Sequence, residues 1–527
     1  MSSPANPSHI GFSGPLPPAR FNMARYVISR AARAAPDKPA LIVVDRPGRP
    51  DAAEQWTFRQ IEQAVLAVAR GLNARGLCRG DRLLIRLDNT STYPILFFGA
   101  IAAGLVPLAT STHLTEEEAQ FLQTDSGARA VALADHLPRN GIASGVDVIG
   151  ADEVAAMLRA PAADGYADTA ADDPAYMVYT SGTTANPKGV LHAQRAAWGR
   201  RPMYQGWYGI TAADRMLHAG AFNWTFTLGS GLTDPWANGA TAIIFTGEKA
   251  PDIWPEVISR TQATLFAAVP GVYRQMLKYA SPAALSGMGS LRHALMAGEA
   301  PPESLFDAWR EATGKDLYEA LGMSEISTYI SSSPSVPRRP GSIGRPQPGR
   351  AVAILPEDGG ETPLPPGEAG LLAVHASDPG LMLGYWRRQQ EEAEVRRGAW
   401  FVGGDFASMD ADGYVTHLGR ANDVMKAMGY RVAPQEVEVV LQRHPHVGEV
   451  ACAELTVREG VSVIAAYVVP AAPGLVPDGD ALMAFAAQHL APYKCPRVVH
   501  IVDRLPRTAN GKVLRRALAS AVPLGES

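Results

Sequence analysis

The residues best suited to chemistry lie in one stretch, Tyr179-Thr-Ser-Gly-Thr-Thr-Ala-Asn-Pro-Lys-Gly189. Small residues let backbone N–H groups curl around an anion. The hydroxyls of Thr180, Ser181, Thr183 and Thr184 add donors, and Lys188 adds positive charge. That combination suits a triphosphate. The order Pro187-Lys188-Gly189 departs from the Walker A loop, where Gly-Lys-Ser/Thr runs into a helix. A plain polar turn after a strand is the competing reading, so charged residues elsewhere must decide. Glu325, after Gly322-Met-Ser324, offers the oxygen ligand that a hard cation such as Mg2+ takes. Asp405, after Gly403-Gly404, suits acceptance of hydrogen bonds from a ribose, and Arg420 suits the sugar or its phosphate. Pro506-Arg-Thr-Ala-Asn-Gly-Lys512 presents a lysine on a Gly-containing loop. Each alone also reads as a turn residue or a solvated charge; their number and order favour a site.

Such residues need strands and helices to position them. The aromatic and apolar run Pro174–Thr180 predicts a buried strand ahead of the loop. Upstream, a helix is predicted over Arg25–Ala35, a strand over Pro39–Val44, and a helix from about Arg59 to Gly71. In that second helix Ile61, Val65, Val68 and Leu72 fall at helical spacing. The apolar stretch Tyr93–Leu108, broken by Pro94, Gly99, Gly104 and Pro107, is short for a membrane span and predicts a buried helix running into a strand. Strands are also predicted at Gly80–Arg86, Ala130–Ala134, Thr241–Phe245 and Ala263–Val269, with the polar and aromatic segment Leu217–Phe226 ahead of a further helix. His293–Ala300 puts Gly298 and Glu299 directly after a strand, and Tyr318–Glu325 repeats the arrangement. Ligands collect at the carboxyl ends of strands in open α/β sheets, so these loops are expected to meet at one pocket. Residues 331–370, rich in Pro, Gly and Ser, predict a small β subdomain. The chain after Gly419 has its own strands (Val461–Val469, Val498–Val502) and helices (Pro434–Arg443, about Asp480–Leu490), a separable α+β unit of roughly 110 residues.

A chain of 527 residues is too long for one core, and domains of about 100–200 residues imply about three units. The net charge of -4 leaves no general basic footprint for nucleic acid, so an anionic ligand has to be held by local charge. Cys78, Cys452 and Cys495 are far apart and lack metal-ligand spacing, which favours a reducing compartment. The first residues show no charged region followed by an apolar run, so no secretion signal is expected. The expectation is a cytoplasmic enzyme with no membrane span and no nucleic-acid partner.

Taken together, Tyr179–Gly189, Gly322-Met-Ser-Glu325, Gly404-Asp405, Gly419-Arg420, Lys426-Ala-Met-Gly-Tyr-Arg431 and Pro506–Lys512 make the chain resemble the adenylate-forming superfamily. That superfamily holds acyl-CoA synthetases, carrier-protein adenylation domains and beetle luciferases. The resemblance spans nearly the whole chain. Trp224 with Asp234-Pro-Trp-Ala-Asn-Gly-Ala240 looks most like medium-chain acyl-CoA synthetases, with aryl-CoA ligases as near relatives. It implies a large N-terminal domain of stacked α/β sheets plus a small β subdomain, residues 1–419, and a mobile smaller α+β domain, residues 420–527, hinged near Asn422.

The resemblance also implies an ATP-dependent acid–thiol ligase using Mg2+ and coenzyme A. A carboxylate attacks the α-phosphorus of ATP to give acyl-AMP and pyrophosphate. The C-terminal domain then rotates, and the thiol displaces AMP. In this reading Thr180, Ser181, Gly182, Thr183, Thr184 and Lys188 embrace the β,γ-phosphates, Ser324 contacts phosphate, and Glu325 carries the metal. Gly298, Glu299, Ala300, Glu319, Ala320 and Leu321 frame adenine, while Asp405 and Arg420 hold the ribose. Lys512 serves the first step; Lys426, Gly429 and Arg431 serve the second.

Phe222, Asn223, Trp224, Ala297, Gly322 and Met323 are implied to line the acyl pocket, although core packing is the alternative for Phe222 and Trp224. Two large rings and no acidic residue favour a small aromatic, alicyclic or medium-chain acid. Leu321 stands where the superfamily commonly stacks an aromatic ring on adenine, and Asn422 replaces the usual Asp or Lys of the hinge. Rival readings are acyl transfer to a carrier-protein phosphopantetheine, a luciferase-like oxygenase and an ATP-binding regulator without turnover. Lys512 is expected to be a target for a protein acetyltransferase, and the protein to be a monomer or homodimer.

Overall fold

Burial of one helix organises the first part of the chain. Over Thr92–Ala102, Tyr93, Ile95, Leu96, Phe97, Phe98 and Ile101 are all at most 1% exposed. A helix apolar on every side has to be covered on every side. Phe97 meets Tyr176 with ring centroids 5.8 Å apart, and Phe98 meets Trp236 at 5.4 Å. The helix Phe58–Ala74 closes on it at Gly99, where a Cβ would stand 2.4 Å from Val68 Cγ1. The chain then enters the buried strand Val106–Ala109, so the stretch read as a buried helix running into a strand is that.

The computed structural model describes residues 11–48, 53–180, 187–423, 425–427, 430–458, 461–472, 474–475, 477–507 and 513–518. The chain divides into two compact units, Met1–Val352 with Val374–Phe401, and Ala353–Ala373 with Val402–Ser527.

Two sheets build the first unit. Among the described residues one has seven strands, in the order Gly384–Tyr385, Lys188–Ala193, Pro174–Thr180, Val106–Ala109, Arg82–Arg86, Ala130–Leu133, Asp147–Ile149. Its last five run parallel, and the first two are added antiparallel. The other has nine described strands, with Pro39–Val44, Thr241–Phe245, Arg215–His218, Leu265–Ala268, His293–Ala297 and Asp316–Met323 parallel at its centre. Apolar runs such as Leu265–Ala268, buried at every position, are what a parallel strand covered on both faces requires.

Two expectations shift. The Pro-, Gly- and Ser-rich stretch from 331 is split: Ser327–Ser331 and Arg345–Pro346 continue the nine-strand sheet by antiparallel pairing, Ile330 opposite Pro346. The small β element begins later, with Val352–Leu355 beside Ala369–His375. The helix expected after Phe226 begins at Thr225 and is not uniform: an α turn, Thr225–Leu228, a π-helical turn, Gly229–Thr233, and a second α turn, Asp234–Ala237, follow one another without a break.

In the second unit Asp405–Met409 pairs with Val415–Arg420 across the turn at Asp412-Gly413. A three-stranded sheet of Val447–Arg458, Val461–Pro470 and Val498–Ile501 carries the helices Pro434–Leu441 and Gly479–His489. Their apolar faces meet around Val437, Leu441, Cys452, Ile464, Val468 and Leu482.

The parallel core of the first unit also encloses imidazole. His293 is 4% exposed, its Nε2 is 2.9 Å from the Tyr208 carbonyl, and its ring meets Tyr318 edge-on. Burial, reinforced by the Arg292 charge, pushes its pKa down to about 4. The unfolded chain therefore binds a proton at higher pH than the folded one. The stability this neutral ring contributes is present above about pH 6.5 and is lost as pH falls toward 4. His293→Gln is expected to flatten the decline of unfolding free energy between pH 6.5 and 4 by up to about 1.4 kcal/mol per pH unit. A denaturation series across that range checks it, and an unchanged slope would place the acid sensitivity in other groups.

Candidate active site

The loop singled out in the sequence springs from an antiparallel pair. Strand Pro174–Thr180 pairs with Lys188–Ala193 so that Thr180 sits opposite Lys188; Ser181, Gly182, Thr183 and Thr184 lie outside the described residues. A third segment is zipped onto the returning strand, with Tyr385 opposite Val190 and the Trp386 N–H donating to the Gly189 carbonyl at 2.7 Å. Asp125, in the last turn of the helix Glu116–Ser126, ties both stems together. Its carboxylate accepts from Tyr179 Oη at 2.8 Å and Arg388 Nη2 at 2.5 Å, and its carbonyl accepts from Trp386 Nε1 at 3.1 Å.

Tyr385 links the two charged groups of the site. Its hydroxyl donates to Glu325 Oε1 at 2.7 Å, and Lys188 Nζ lies over its ring, 5.4 Å from the centroid, within cation–π range. The backbone around Glu325 is held as well. Its carbonyl accepts from the Met382 N–H at 2.7 Å, and the Ser324 carbonyl lies 2.8 Å from His192 Nε2. A carbonyl only accepts, so that nitrogen carries the proton. His192 stacks on Tyr176 at 4.6 Å, and burial pushes its pKa down to about 4, so the ring is neutral at neutral pH. No trio of His, Cys, Asp or Glu side chains that would cage a metal exists among the described residues. A single carboxylate sharing Tyr385 with a lysine is nonetheless a donor set that fits Mg2+, because that ion keeps waters and phosphate oxygens as ligands.

The neighbouring strand ends carry the remaining first-unit candidates. Asp316–Met323 runs through most of the segment read as a loop, with a register shift between Leu321 and Gly322; the turn proper is Ser324–Ile326. Gly298 ends the strand His293–Ala297 at φ 105°, a region side chains avoid. A Cβ there would stand 3.2 Å from Trp224, so the indole lies along the Gly298 backbone. Trp224 is half-buried and meets Phe226 edge-on at 5.3 Å. Phe222 is 2% exposed and packs on Tyr93 at 5.7 Å, as a core residue does. Asn223 and Met323 are half-buried, Ala297 is buried, and Gly322 is exposed with its Cα against the backbone of Ser327 and Thr328. Gly298 and Ala300 are exposed, and Glu299 lies 3.8 Å from Arg274. Ala320 is buried and Leu321 half-buried. Desolvation, then the Glu303 charge, pushes the Glu319 carboxyl up to about 8, which leaves it protonated at neutral pH.

Asp405 and Arg420 belong to the second unit and face each other across its hairpin. Asp405 is 5% exposed; its Oδ1 lies 3.0 Å from His417 Nε2 and 3.5 Å from Arg420 Nε. Asn422 falls in the short turn Ala421–Asp423, and Lys426 opposite Arg431 in a two-stranded ribbon. Gly429 and Lys512 lie outside the described residues. Tyr385, Asp125 and His192 were not found from sequence. Tyr385 is 60 residues from Glu325, and only the strand pairing reveals their meeting.

The AMP-binding enzyme family matches residues 28–386, and the AMP-binding enzyme C-terminal domain matches residues 436–512. The 3-hydroxybenzoate–CoA ligase of Aromatoleum sp. (strain CIB) is 31% identical over 503 residues, covering 92% of this chain and 95% of that enzyme. The benzoate–CoA ligase of Thauera aromatica is 32% identical over 527 residues, covering 96% and 97%. Among solved structures, the anthranilate CoA ligase AuaEII in complex with anthranoyl-AMP superposes with a TM-score of 0.84 at 27% identity, covering 96% of this chain and 98% of that one. With both of its domains matched in order and its relatives covered almost end to end, this chain belongs to the AMP-binding enzyme family, within the adenylate-forming superfamily.

Proposed function

We propose that this protein is an AMP-forming ligase that joins a small aromatic carboxylic acid to coenzyme A through an acyl-adenylate. The observation that carries the reading is the convergence of Lys188 and Glu325 on Tyr385 at the base of the loop. A cation and a carboxylate so placed suit a triphosphate and its metal. Glu325 would hold Mg2+, which would neutralise part of the phosphate charge.

In the first step a carboxylate oxygen of the acid attacks the α-phosphorus, and the bond to the β-phosphate oxygen breaks to release pyrophosphate. Lys188 with Thr180, Ser181, Gly182, Thr183 and Thr184 holds the departing oxygens, and Ser324 adds a contact. Gly298, Glu299, Ala300, Glu319, Ala320 and Leu321 border the adenine. The protonated Glu319 offers a donor there, and Leu321 offers apolar contact without stacking. Asp405, oriented by His417 and Arg420, accepts from the ribose hydroxyls. Lys512 offsets the charge that builds between carboxylate and phosphate. In the second step the thiol sulfur attacks the acyl carbonyl, AMP departs and the thiol proton is released. Gly429 and Arg431 face the thiol cofactor, Lys426 serves this step, and Asn422 is the hinge.

The named substrates of the relatives, benzoate and 3-hydroxybenzoate, support an aromatic acid, as does the Trp224 indole lying along Gly298. Trp224, Asn223, Ala297, Gly322 and Met323 wall the acyl group; Phe222 backs the wall from the core. The same reading makes Lys512 a target for a protein acetyltransferase, and the protein a cytoplasmic monomer or homodimer. Its three free cysteines suit a reducing compartment.

Thioester formation is expected with benzoate and its hydroxy derivatives at a kcat/KM more than about ten-fold above that for a long-chain fatty acid, with free coenzyme A as acceptor. Mass spectrometry of products from a panel of acids reads this directly. Thioester formed only on a carrier-protein phosphopantetheine, or acid-dependent O2 consumption, would overturn it.

Lys512→Ala separates the steps. Pyrophosphate release should fall by about 10²–10³, while thioester formation from supplied acyl-AMP stays within a few-fold of normal. Equal loss in both half-reactions of a folded variant would remove Lys512 from its assigned step.

A further inference from the structure

The turn that carries Glu325 is underlain by a buried ion pair that none of the steps above uses. Arg200 is 5% exposed and Asp234 fully buried. Arg200 Nε and Nη2 donate to the two carboxylate oxygens of Asp234 at 2.8 and 2.6 Å, the fork geometry that fixes a guanidinium in orientation as well as position. Tyr208 Oη lies 2.7 Å from Asp234 Oδ2 and 2.8 Å from Ser230 Oγ, so the carboxylate is itself held. The guanidinium lies against Gly229, where a Cβ would stand 2.1 Å from Nη2. Its remaining nitrogen, Nη1, donates to Ser327 Oγ.

Ser327 occupies an unusual place. Met323 pairs with Ser327 across the hairpin, so Ser324–Ile326 form a three-residue connection with Glu325 at its centre. Short hairpin connections commonly close on a residue in the left-handed region, where glycine is the default. Ser327 takes that conformation, φ 76°, with a side chain. The side chain is disfavoured there unless something holds it, and the Arg200 bond is that hold. A cavity of about 20 Å³, bordered by His192, Arg200, Ser324, Ile326 and Ser327, lies beside the turn.

We propose that Arg200, clamped by Asp234, is a positioning residue for Glu325. By holding Ser327 in the left-handed conformation it sets where the Glu325 carboxylate stands when it receives Mg2+. The proposal rests on the reading of Glu325 as the metal-holding carboxylate.

Replacing Arg200 would strand the buried Asp234 charge and is expected to prevent folding, so the test falls on Ser327. In the full-length enzyme, Ser327→Ala and Ser327→Gly should each raise by about ten-fold the Mg2+ concentration for half-maximal pyrophosphate release and, read by calorimetry without turnover, that for half-maximal binding of an α,β-methylene ATP analogue, with a much smaller loss of kcat at saturating Mg2+. Ser327→Asn, which keeps an acceptor and tolerates the left-handed region, should restore most of the Mg2+ affinity. Wild-type Mg2+ dependence in Ser327→Gly would show that backbone conformation alone matters and would overturn the role of Arg200. Unchanged dependence in both Ser327→Ala and Ser327→Gly, alongside a Glu325→Gln variant whose dependence is impaired, would overturn this proposal alone. Unchanged dependence in Glu325→Gln would overturn the metal reading itself, and the proposal with it.

Discussion

In the proposed reading Lys188 and Glu325 serve one phosphate ligand, the lysine directly and the carboxylate through a metal ion, and each is useful only while it remains available. Tyr385 meets that constraint by engaging both: its hydroxyl donates to Glu325 and its ring face receives the Lys188 ammonium. The rest of the first unit can be understood as what brings this tyrosine into place. Gly384–Tyr385 adds to Lys188–Ala193, that strand returns from Pro174–Thr180, and Asp125 ties the stems together. Pro174–Thr180 in turn rests, through Tyr176, on the buried helix Thr92–Ala102.

The polar interior beneath the site is costly and therefore informative. Arg200–Asp234 and Arg350–Asp378 are both buried pairs, and Arg350 also donates to the carbonyls of Gly199 at 2.9 Å and Thr328 at 3.4 Å. Breaking such a pair by removing one partner costs about 3–5 kcal/mol, whereas an apolar replacement of both is often neutral. Stability alone gives little reason to keep them. Their value lies in orientation: each guanidinium presents one nitrogen to the strand that follows the Ser324–Ile326 turn, Arg200 to Ser327 and Arg350 to Thr328.

Much of this was legible in the sequence where local pattern decides the outcome. The strand Pro39–Val44 appears at its predicted bounds, and Ile61, Val65, Val68 and Leu72 are all fully buried on the helix Phe58–Ala74. The loop after Thr180, Glu325, Asp405 and Arg420 stood out as candidates because each combines a charge with small neighbours, although only their number and order favoured a site. What escaped depends on contacts distant in sequence. Nothing local to Gly384-Tyr385 marks it as a strand on Lys188–Ala193, and Asp125 reads as an ordinary residue near a helix end. Arg200 and Asp234 look like surface charges until the fold buries them. Phe222 and Trp224, two residues apart, were read together, yet one packs on Tyr93 in the core and the other along Gly298. The stretch after 331 was misjudged because Pro and Gly mark turns without saying which sheet the intervening residues join.

The central claim is that the protein forms an acyl-adenylate as a discrete intermediate before any thiol enters. Isotope exchange between labelled pyrophosphate and ATP, measured without coenzyme A, tests it most directly. Label should enter ATP only when a benzoate-type acid is supplied, and added coenzyme A should divert the intermediate to thioester and AMP. Thioester formation with no acid-dependent exchange, or exchange that proceeds equally well without any acid, would contradict the account.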